Sequence, residues 1–335
     1  MWHFACKIFL LALILLACNP EQKADNQLVV RVSKVTLRAE PSEKSRELTT
    51  LSKNAALVDL GEVSPFESQI SLGGQLYQTP WIKVQTKKEE IGWIPAWALS
   101  PASKAADWLL QKRLLCYFGK DLTAQRNVLF QAFENTETSA QWRDNWLKSR
   151  LLRDTFLGML ARRPEQGFKP QFKWLGDVLP GYIYQEIDPG ARPGLFANFA
   201  TWRPNALKSN GLQDDAFLAC YLAAFPVDSI ESAFPVWKFP LSETEPVSQL
   251  GAGQHLNMFR QIDAALQAGP LFGPELQVLK DQILEDIFWE GNRYWQSAEK
   301  IIHGCVRRRT RGSCPVPTRW RTSKTARCRE RRARP

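Results

Sequence analysis

Histidine is nearly absent from this chain, which has three among 335 residues. Only His255 lies between the apolar N-terminal stretch and the C-terminal tail. A zinc hydrolase needs several histidine or cysteine ligands, and a nucleophilic serine or cysteine is commonly activated by a neighbouring histidine. One histidine argues against both kinds of site, so we expect no metal and no cofactor. His255 itself is predicted to be a surface or capping residue at the start of a helix.

Cysteine is also scarce in the body of the chain. Five of the seven cysteines lie in the N-terminal stretch or the tail, which leaves Cys116 and Cys220. Both are surrounded by apolar residues with helical spacing, so we expect small, buried core residues. A disulfide between them remains open, because spacing does not determine pairing. No pair has the spacing of zinc ligands.

The chain has no excess charge outside its tail. Residues 303–335 hold eleven arginines and one lysine against one glutamate, whereas residues 1–302 hold 32 basic and 33 acidic residues. A neutral body is not attracted to polyanions, so no nucleic acid partner is expected. The tail lacks apolar periodicity and is predicted to be disordered. It is explained either by translation in a shifted reading frame or by a basic arm for acidic lipid or polymer.

The apolar run at the N-terminus, residues 8–17, is too short to span a bilayer. It follows Lys7 and ends in small residues, as a secretory signal does. The sequence Leu15-Leu16-Ala17-Cys18 resembles the processing box of bacterial lipoproteins. That resemblance implies removal of residues 1–17 and palmitate-type acylation of Cys18, which would anchor the protein to a membrane. An ordinary cleaved signal is the alternative.

Residues 18–27 are mostly polar and are predicted to be a tether that lifts the fold from the membrane. Asn19 follows the cysteine, where many enteric lipoproteins of the inner membrane carry aspartate. The lipoprotein resemblance therefore implies an envelope location, with the outer membrane favoured where one exists.

Residues 28–100 alternate or cluster β-branched residues between turn signals, which predicts short strands. The order V-T-L-R-A-E-P-S, then W-I-K-V, then I-G-W-I-P-A-W-A-L resembles a bacterial SH3-like domain. The resemblance implies a small barrel of about five strands that binds peptidoglycan or an envelope protein. Tyr77, Trp81 and Trp97 are the candidates for the floor of its ligand groove.

Apolar residues recur at three- and four-residue steps through much of residues 101–302, which predicts an all-α domain with no family resemblance. One predicted helix covers 138–163 with Thr138 as its N-cap, and another covers 173–186. The predicted fold class is therefore α+β, an all-β SH3-like barrel followed by a helical domain. The carboxylates Glu285, Asp286 and Glu290 are predicted to form the solvated face of the last helix.

One further resemblance concerns Glu231. The sequences E-S-A-F at 231–234 and S-Q-L-G-A-G at 248–253 are faintly similar to the signature of lytic transglycosylases. That similarity implies a peptidoglycan glycosidase with Glu231 as general acid and base. The gap between the two halves is longer than in that family, and the residues after the second half differ. We therefore favour a non-enzymatic binding lipoprotein, with the glycosidase and an envelope assembly scaffold as alternatives.

Overall fold

The computed structural model describes residues 26–309 except 73, 104–106, 165–166, 189–191, 232–233 and 241–245. The predicted signal at 1–17, Cys18, the tether up to residue 25 and the tail from 310 lie outside the described residues. None of the helices in the described part has a stretch both apolar and long enough to cross a bilayer.

Residues 27–101 form one antiparallel sheet of seven strands, curled into a half-barrel. The strands are β1 (Gln27–Val30), β2 (Lys34–Arg38), β3 (Glu47–Ser52), β4 (Ala56–Leu72), β5 (Gln75–Thr86), β6 (Ile91–Pro95) and β7 (Leu99–Pro101). Their order across the sheet is β3-β2-β6-β5-β4-β1-β7. The strands lie in the region predicted to hold them, but the prediction of a small barrel of about five strands is wrong: there are seven strands, and the sheet is open with β3 and β7 at its edges. Pro101 lies in an edge strand, the place where a residue without a backbone N–H is tolerated.

A long hairpin of β4 and β5 occupies residues 56–86. Its pairing runs from Leu57–Thr86 out to Leu72–Gln75 and is interrupted by register shifts on both sides of Val63. Such irregularities bend a strand and increase its twist. The outer half of the hairpin consequently leaves the sheet and reaches the helices that follow.

Six α-helices make up most of the remaining described residues. They are α1 (Trp108–Glu134), α2 (Ser139–Ala161), α3 (Phe199–Lys208), α4 (Gln213–Ala224), α5 (Gln254–Gln267) and α6 (Gly273–Arg309). Helix α1 breaks at Gly119, whose φ of 77° lies in the region that glycine tolerates without strain. Thr138 caps α2 as predicted, because its hydroxyl accepts from the backbone N–H of Gln141 while the Gln141 side chain reciprocates.

The prediction that residues 101–302 are entirely helical is wrong. Strands β8 (Tyr182–Asp188) and β9 (Arg192–Ala197) form a hairpin, as do β10 (Lys238–Pro240) and β11 (Pro246–Ser248). The helix predicted at 173–186 is a 3-10 turn (Lys173–Asp177) followed by β8. Tyrosine and isoleucine in β8 favour strands, and Pro180 and Gly181 end the helical turn before it.

Helix α6 also continues past the predicted boundary at residue 302, so residues 303–309 are helical rather than disordered. No proline interrupts the sequence between Pro274 and residue 309, and the backbone hydrogen bonds can therefore continue.

Two hydrophobic cores lie in the molecule, one under the sheet and one among the helices. Val63, where the hairpin bends, packs against both.

A buried polar joint connects the two regions: the Glu67 side chain on β4 is fully buried and accepts from Arg113 Nε at 3.0 Å and from the Tyr117 hydroxyl at 2.9 Å. The Lys112 ammonium meets the Asp59 carboxylate at 2.5 Å beside it. The sheet and α1 are thus held together by ion pairs shielded from solvent.

Candidate functional site

The surface of the sheet carries an aromatic platform, which we define as Tyr77, Trp97 and Arg31. The rings of Tyr77 on β5 and Trp97 lie 3.9 Å apart between centroids, tilted by 31°. The guanidinium of Arg31, which follows β1, lies 4.6 Å from the centroid of the Trp97 ring. Both aromatic side chains are half-buried and Arg31 is exposed. The three residues therefore present one flat, amphipathic surface to solvent.

Local backbone structure fixes this platform. Trp97 sits in a single 3-10 turn (Ala96–Ala98), and its backbone N–H donates to the Thr79 hydroxyl on β5 at 3.0 Å. The Tyr77 hydroxyl donates to Gln75 Oε1 at 2.5 Å. A small cavity of about 150 Å³ adjoins the platform between Trp97, Arg31 and Trp108. That volume suits one side chain or a small group of atoms, not a whole cofactor.

Trp81, the third predicted groove residue, does not join the platform. Its side chain is 1% exposed, and its indole N–H donates to the Ser68 hydroxyl at 2.9 Å. A ring covered in this way offers no surface to a ligand, so only Tyr77 and Trp97 of the three candidates remain available.

Glu231 lies between two arginines of α2. Its Oε1 accepts from Arg150 Nη1 at 3.0 Å and its Oε2 accepts from Arg153 Nη1 at 3.0 Å. Burial lowers the pKa of Arg150, but the Glu231 charge and other neighbours outweigh it, and the pKa is raised overall. A glycosidase acid must instead hold a proton that it can donate to a glycosidic oxygen. With both oxygens engaged by guanidinium groups, Glu231 has the geometry of a structural ion pair.

A larger cleft of about 480 Å³ opens along α6. We call it the acidic cleft; its lining residues are Phe225, Glu231, Pro235, Trp237, Lys238, Gln282, Glu285, Asp286, Trp289 and Glu290. Five of them belong to α6 and recur at three- and four-residue steps, so one face of the helix forms a whole wall. The opposite wall comes from the chain between the end of α4 and β10.

The predictions for Asp286 and His255, both placed at the surface by the sequence, are wrong. Asp286, predicted to be solvated, is 8% exposed; its Oδ2 accepts from the Ser248 hydroxyl at 2.5 Å and lies 2.9 Å from His255 Nε2. His255, predicted at the surface or as a cap, is 5% exposed, and Gly253 occupies the N-cap position of α5. The amphipathic turn of α5 places His255 inward against α6.

The Ser248, His255 and Asp286 side chains do not form a catalytic triad. In a triad the histidine lies between the serine and the aspartate, so that it can take the serine proton. Here Ser248 and His255 both bond to the aspartate. The Lys238 ammonium also approaches Asp286 Oδ1, at 3.5 Å. The cluster therefore fixes the β10–β11 hairpin to α6 and activates no nucleophile.

The two body cysteines are buried free thiols, as predicted for core residues, and they are not joined by a disulfide. Burial raises the pKa of the Cys116 thiol to about 12, with the nearby Arg163 acting in the opposite direction. Burial alone raises the pKa of Cys220 to about 12. Reactive cysteines have lowered pKa values and access to solvent, so neither thiol suits nucleophilic chemistry. Within the described ranges, no group of three or more histidine, cysteine or acidic side chains is arranged to hold a metal ion.

No family model, curated protein or solved structure matches this chain. The functional interpretation therefore depends on the platform and the acidic cleft. Sequence reasoning missed Arg31, Trp237 and Trp289. Only Trp289 had a sequence signal, since it lies four residues after Glu285 and therefore on the same helix face.

Proposed function

We propose that this protein is a non-enzymatic lipoprotein of the bacterial envelope that binds peptidoglycan through the platform on its SH3-like sheet. In this proposal acylated Cys18 holds the chain to the membrane and residues 19–27 act as the tether. The processing box supports the membrane anchor, and the platform supports the binding role. Neither observation involves the helical region.

The single observation that carries the proposal is the tilted Tyr77–Trp97 pair with Arg31 over the Trp97 ring. The two rings lie 3.9 Å apart between centroids, and both are half-buried rather than buried. Arg31 adds a cation with five N–H donors, which suits a carboxylate. A short peptide with free carboxylates and small apolar side chains, such as a peptidoglycan stem peptide, matches this combination of flat apolar surface and fixed positive charge.

A non-catalytic role is supported by the state of each candidate catalytic side chain. Glu231 is engaged by two arginines, His255 is bound to Asp286, and burial keeps the Cys116 thiol protonated. None of these groups is positioned to transfer a proton or to attack a substrate.

The test is co-sedimentation of the full chain with purified peptidoglycan sacculi. We expect Trp97→Ala and Arg31→Ala to lower the apparent affinity about tenfold or more, since aromatic and arginine anchors dominate binding energy. Trp93→Ala is the matched control, because Trp93 is a half-buried tryptophan of the same sheet that is not part of the platform. Equal loss in the control and the platform variants, or no binding by the unaltered protein, would overturn the proposal.

Acylation of Cys18 is tested separately, in cells that express the full chain. The mature N-terminus should be an acylated Cys18 by mass spectrometry, and Cys18→Ser should move the protein from the membrane fraction to the soluble fraction. An unmodified N-terminus at another residue would contradict the lipoprotein assignment without affecting the binding result.

A further inference from the structure

We infer that the acidic cleft along α6 is a second binding site, for a small organic cation in which an ammonium group is carried on a compact apolar or sugar-like body. This site is distinct from the platform and does not depend on the proposed function. The inference depends on the charge, the aromatic lining and the size of the cleft.

The lining of the acidic cleft holds more acidic than basic side chains. Four of its side chains are carboxylates, and Lys238 is the single basic residue among the lining residues. Glu231 is paired with Arg150 and Arg153, and Asp286 is paired with Lys238 and bonded to His255. Glu285 is exposed and has no ion-pair partner among the described residues. A cation that enters the cleft therefore gains attraction that an anion or a neutral molecule does not.

Three aromatic residues accompany these carboxylates. Phe225 and Trp237 are buried at 8% and 1% exposure and form an apolar wall. Trp289, in contrast, keeps 60% of its surface exposed at the cleft. An ammonium group is attracted to the face of an aromatic ring, most strongly to tryptophan, and carboxylates nearby add to that attraction. The combination of rings and acids is typical of sites for amines and quaternary ammonium groups.

The size of the cleft distinguishes an organic cation from a metal ion. A volume of about 480 Å³ falls within the range of small-molecule sites. A metal ion would instead need several oxygen, nitrogen or sulfur ligands converging on one point, and the described residues contain no such cluster. The apolar wall also offers a metal ion no ligand atoms, whereas it can pack against the apolar part of an organic cation.

The test compares cations with neutral molecules of nearly the same shape. The full chain is titrated with choline and with its uncharged analogue 3,3-dimethylbutan-1-ol, and with glucosamine and N-acetylglucosamine, by calorimetry and tryptophan fluorescence. We expect one or both cations to bind at least about tenfold more tightly than the neutral partner, and the difference to shrink as salt increases. Equal binding of the neutral molecules, or no saturable binding of any probe up to about 10 mM, would overturn the inference.

Two pairs of variants on α6 locate the binding. Trp289→Ala should weaken cation binding about tenfold, while Leu284→Ala should change it less than about twofold, because Leu284 is also exposed on α6 but does not line the cleft. Glu285→Gln should weaken binding severalfold, whereas Asp281→Asn removes the same charge one turn away, outside the lining. All four residues are accessible, so circular dichroism should show unchanged folding. Equal effects within either pair would place the cation elsewhere.

Discussion

The two regions of this molecule use aromatic residues in opposite ways. The buried members of the sheet core are all aliphatic, from Leu28 and Val30 to Leu99. The helical core is built around rings: Trp146 lies 5.0 Å from Trp202 and 5.7 Å from Phe217 between centroids, both edge-to-face. Around the sheet core, rings such as Tyr77 and Trp97 lie at the surface; in the helical region, exposed rings such as Trp289 are the exception.

This difference separates packing from recognition. Trp97 packs against the aliphatic sheet core from its edge but is only half-buried, so part of the Tyr77–Trp97 pair remains available for a ligand. In the helical region most large rings are buried and stabilise the fold. An exposed tryptophan such as Trp289 then has little packing to explain it, and the cleft beside it becomes the simplest reason for its position.

The largest expected effect tests this separation directly. Trp146→Ala should lower the free energy of unfolding by about 3–5 kcal/mol, because the ring is 1% exposed and its removal leaves a cavity. Trp97→Ala should lower it by about 1 kcal/mol or less, since that ring is half-buried at the surface. Urea unfolding followed by circular dichroism measures both. Similar losses for the two variants would show that the platform is part of the packing rather than a binding surface.

A second prediction concerns the joint between the regions. Arg113→Ala should cost about 3 kcal/mol, because it leaves the fully buried Glu67 carboxylate without its ionic partner. Lys148→Ala is the control: it breaks an exposed ion pair with Asp144 on α2 and should cost less than about 0.5 kcal/mol.

The unfolding curve of Arg113→Ala carries further information. If the joint couples the regions, its loss should separate one cooperative transition into two, the sheet and the helices unfolding at different urea concentrations. A single transition with unchanged midpoint would mean that the aliphatic and aromatic cores are held together by other contacts.

Local patterns predicted much of the fold. Alternation and turn residues located the strand region, and the cap at Thr138 followed from residue type alone. The β8–β9 hairpin was missed because its short run of tyrosine and isoleucine also fits a helix face, and the long-range pairing that decides between them is not visible in the sequence.

The sites were harder to predict, because they depend on contacts between distant parts of the chain. Trp81 and Trp97 look alike in the sequence, yet Trp81 is 1% exposed and bonded to Ser68, whereas Trp97 is half-buried, packing against the sheet core and contacting Tyr77 and Arg31. Asp286 lies 31 positions from His255, so its burial could not be inferred from the helix alone. A polar residue on an amphipathic helix is solvated only if no other element packs on it.

The smallest predicted effect is a pH dependence of the free energy of unfolding that affects only the helical region. Cys116 and Cys220 both belong to the helical core, and burial raises the pKa of each to about 12 from an ordinary value of 9.0. Above about pH 9 the unfolded chain loses these thiol protons while the native protein keeps them, so the native state binds more protons and becomes less stable as pH rises. The loss approaches about 1.4 kcal/mol per pH unit for each thiol and ends near the native pKa.

Urea unfolding from about pH 8 to about pH 9.5 measures this loss, with a Cys116→Ala/Cys220→Ala double variant as the reference. The variant is less stable at neutral pH, yet its stability should fall by about 1.6 kcal/mol less over this range, about 0.8 kcal/mol for each thiol. Because the sheet core contains no thiol, only the helical transition should shift wherever the two are resolved. Parallel pH profiles for the two proteins would mean that the thiols are accessible in the native state, and the aromatic core would then be less tightly closed than its packing indicates.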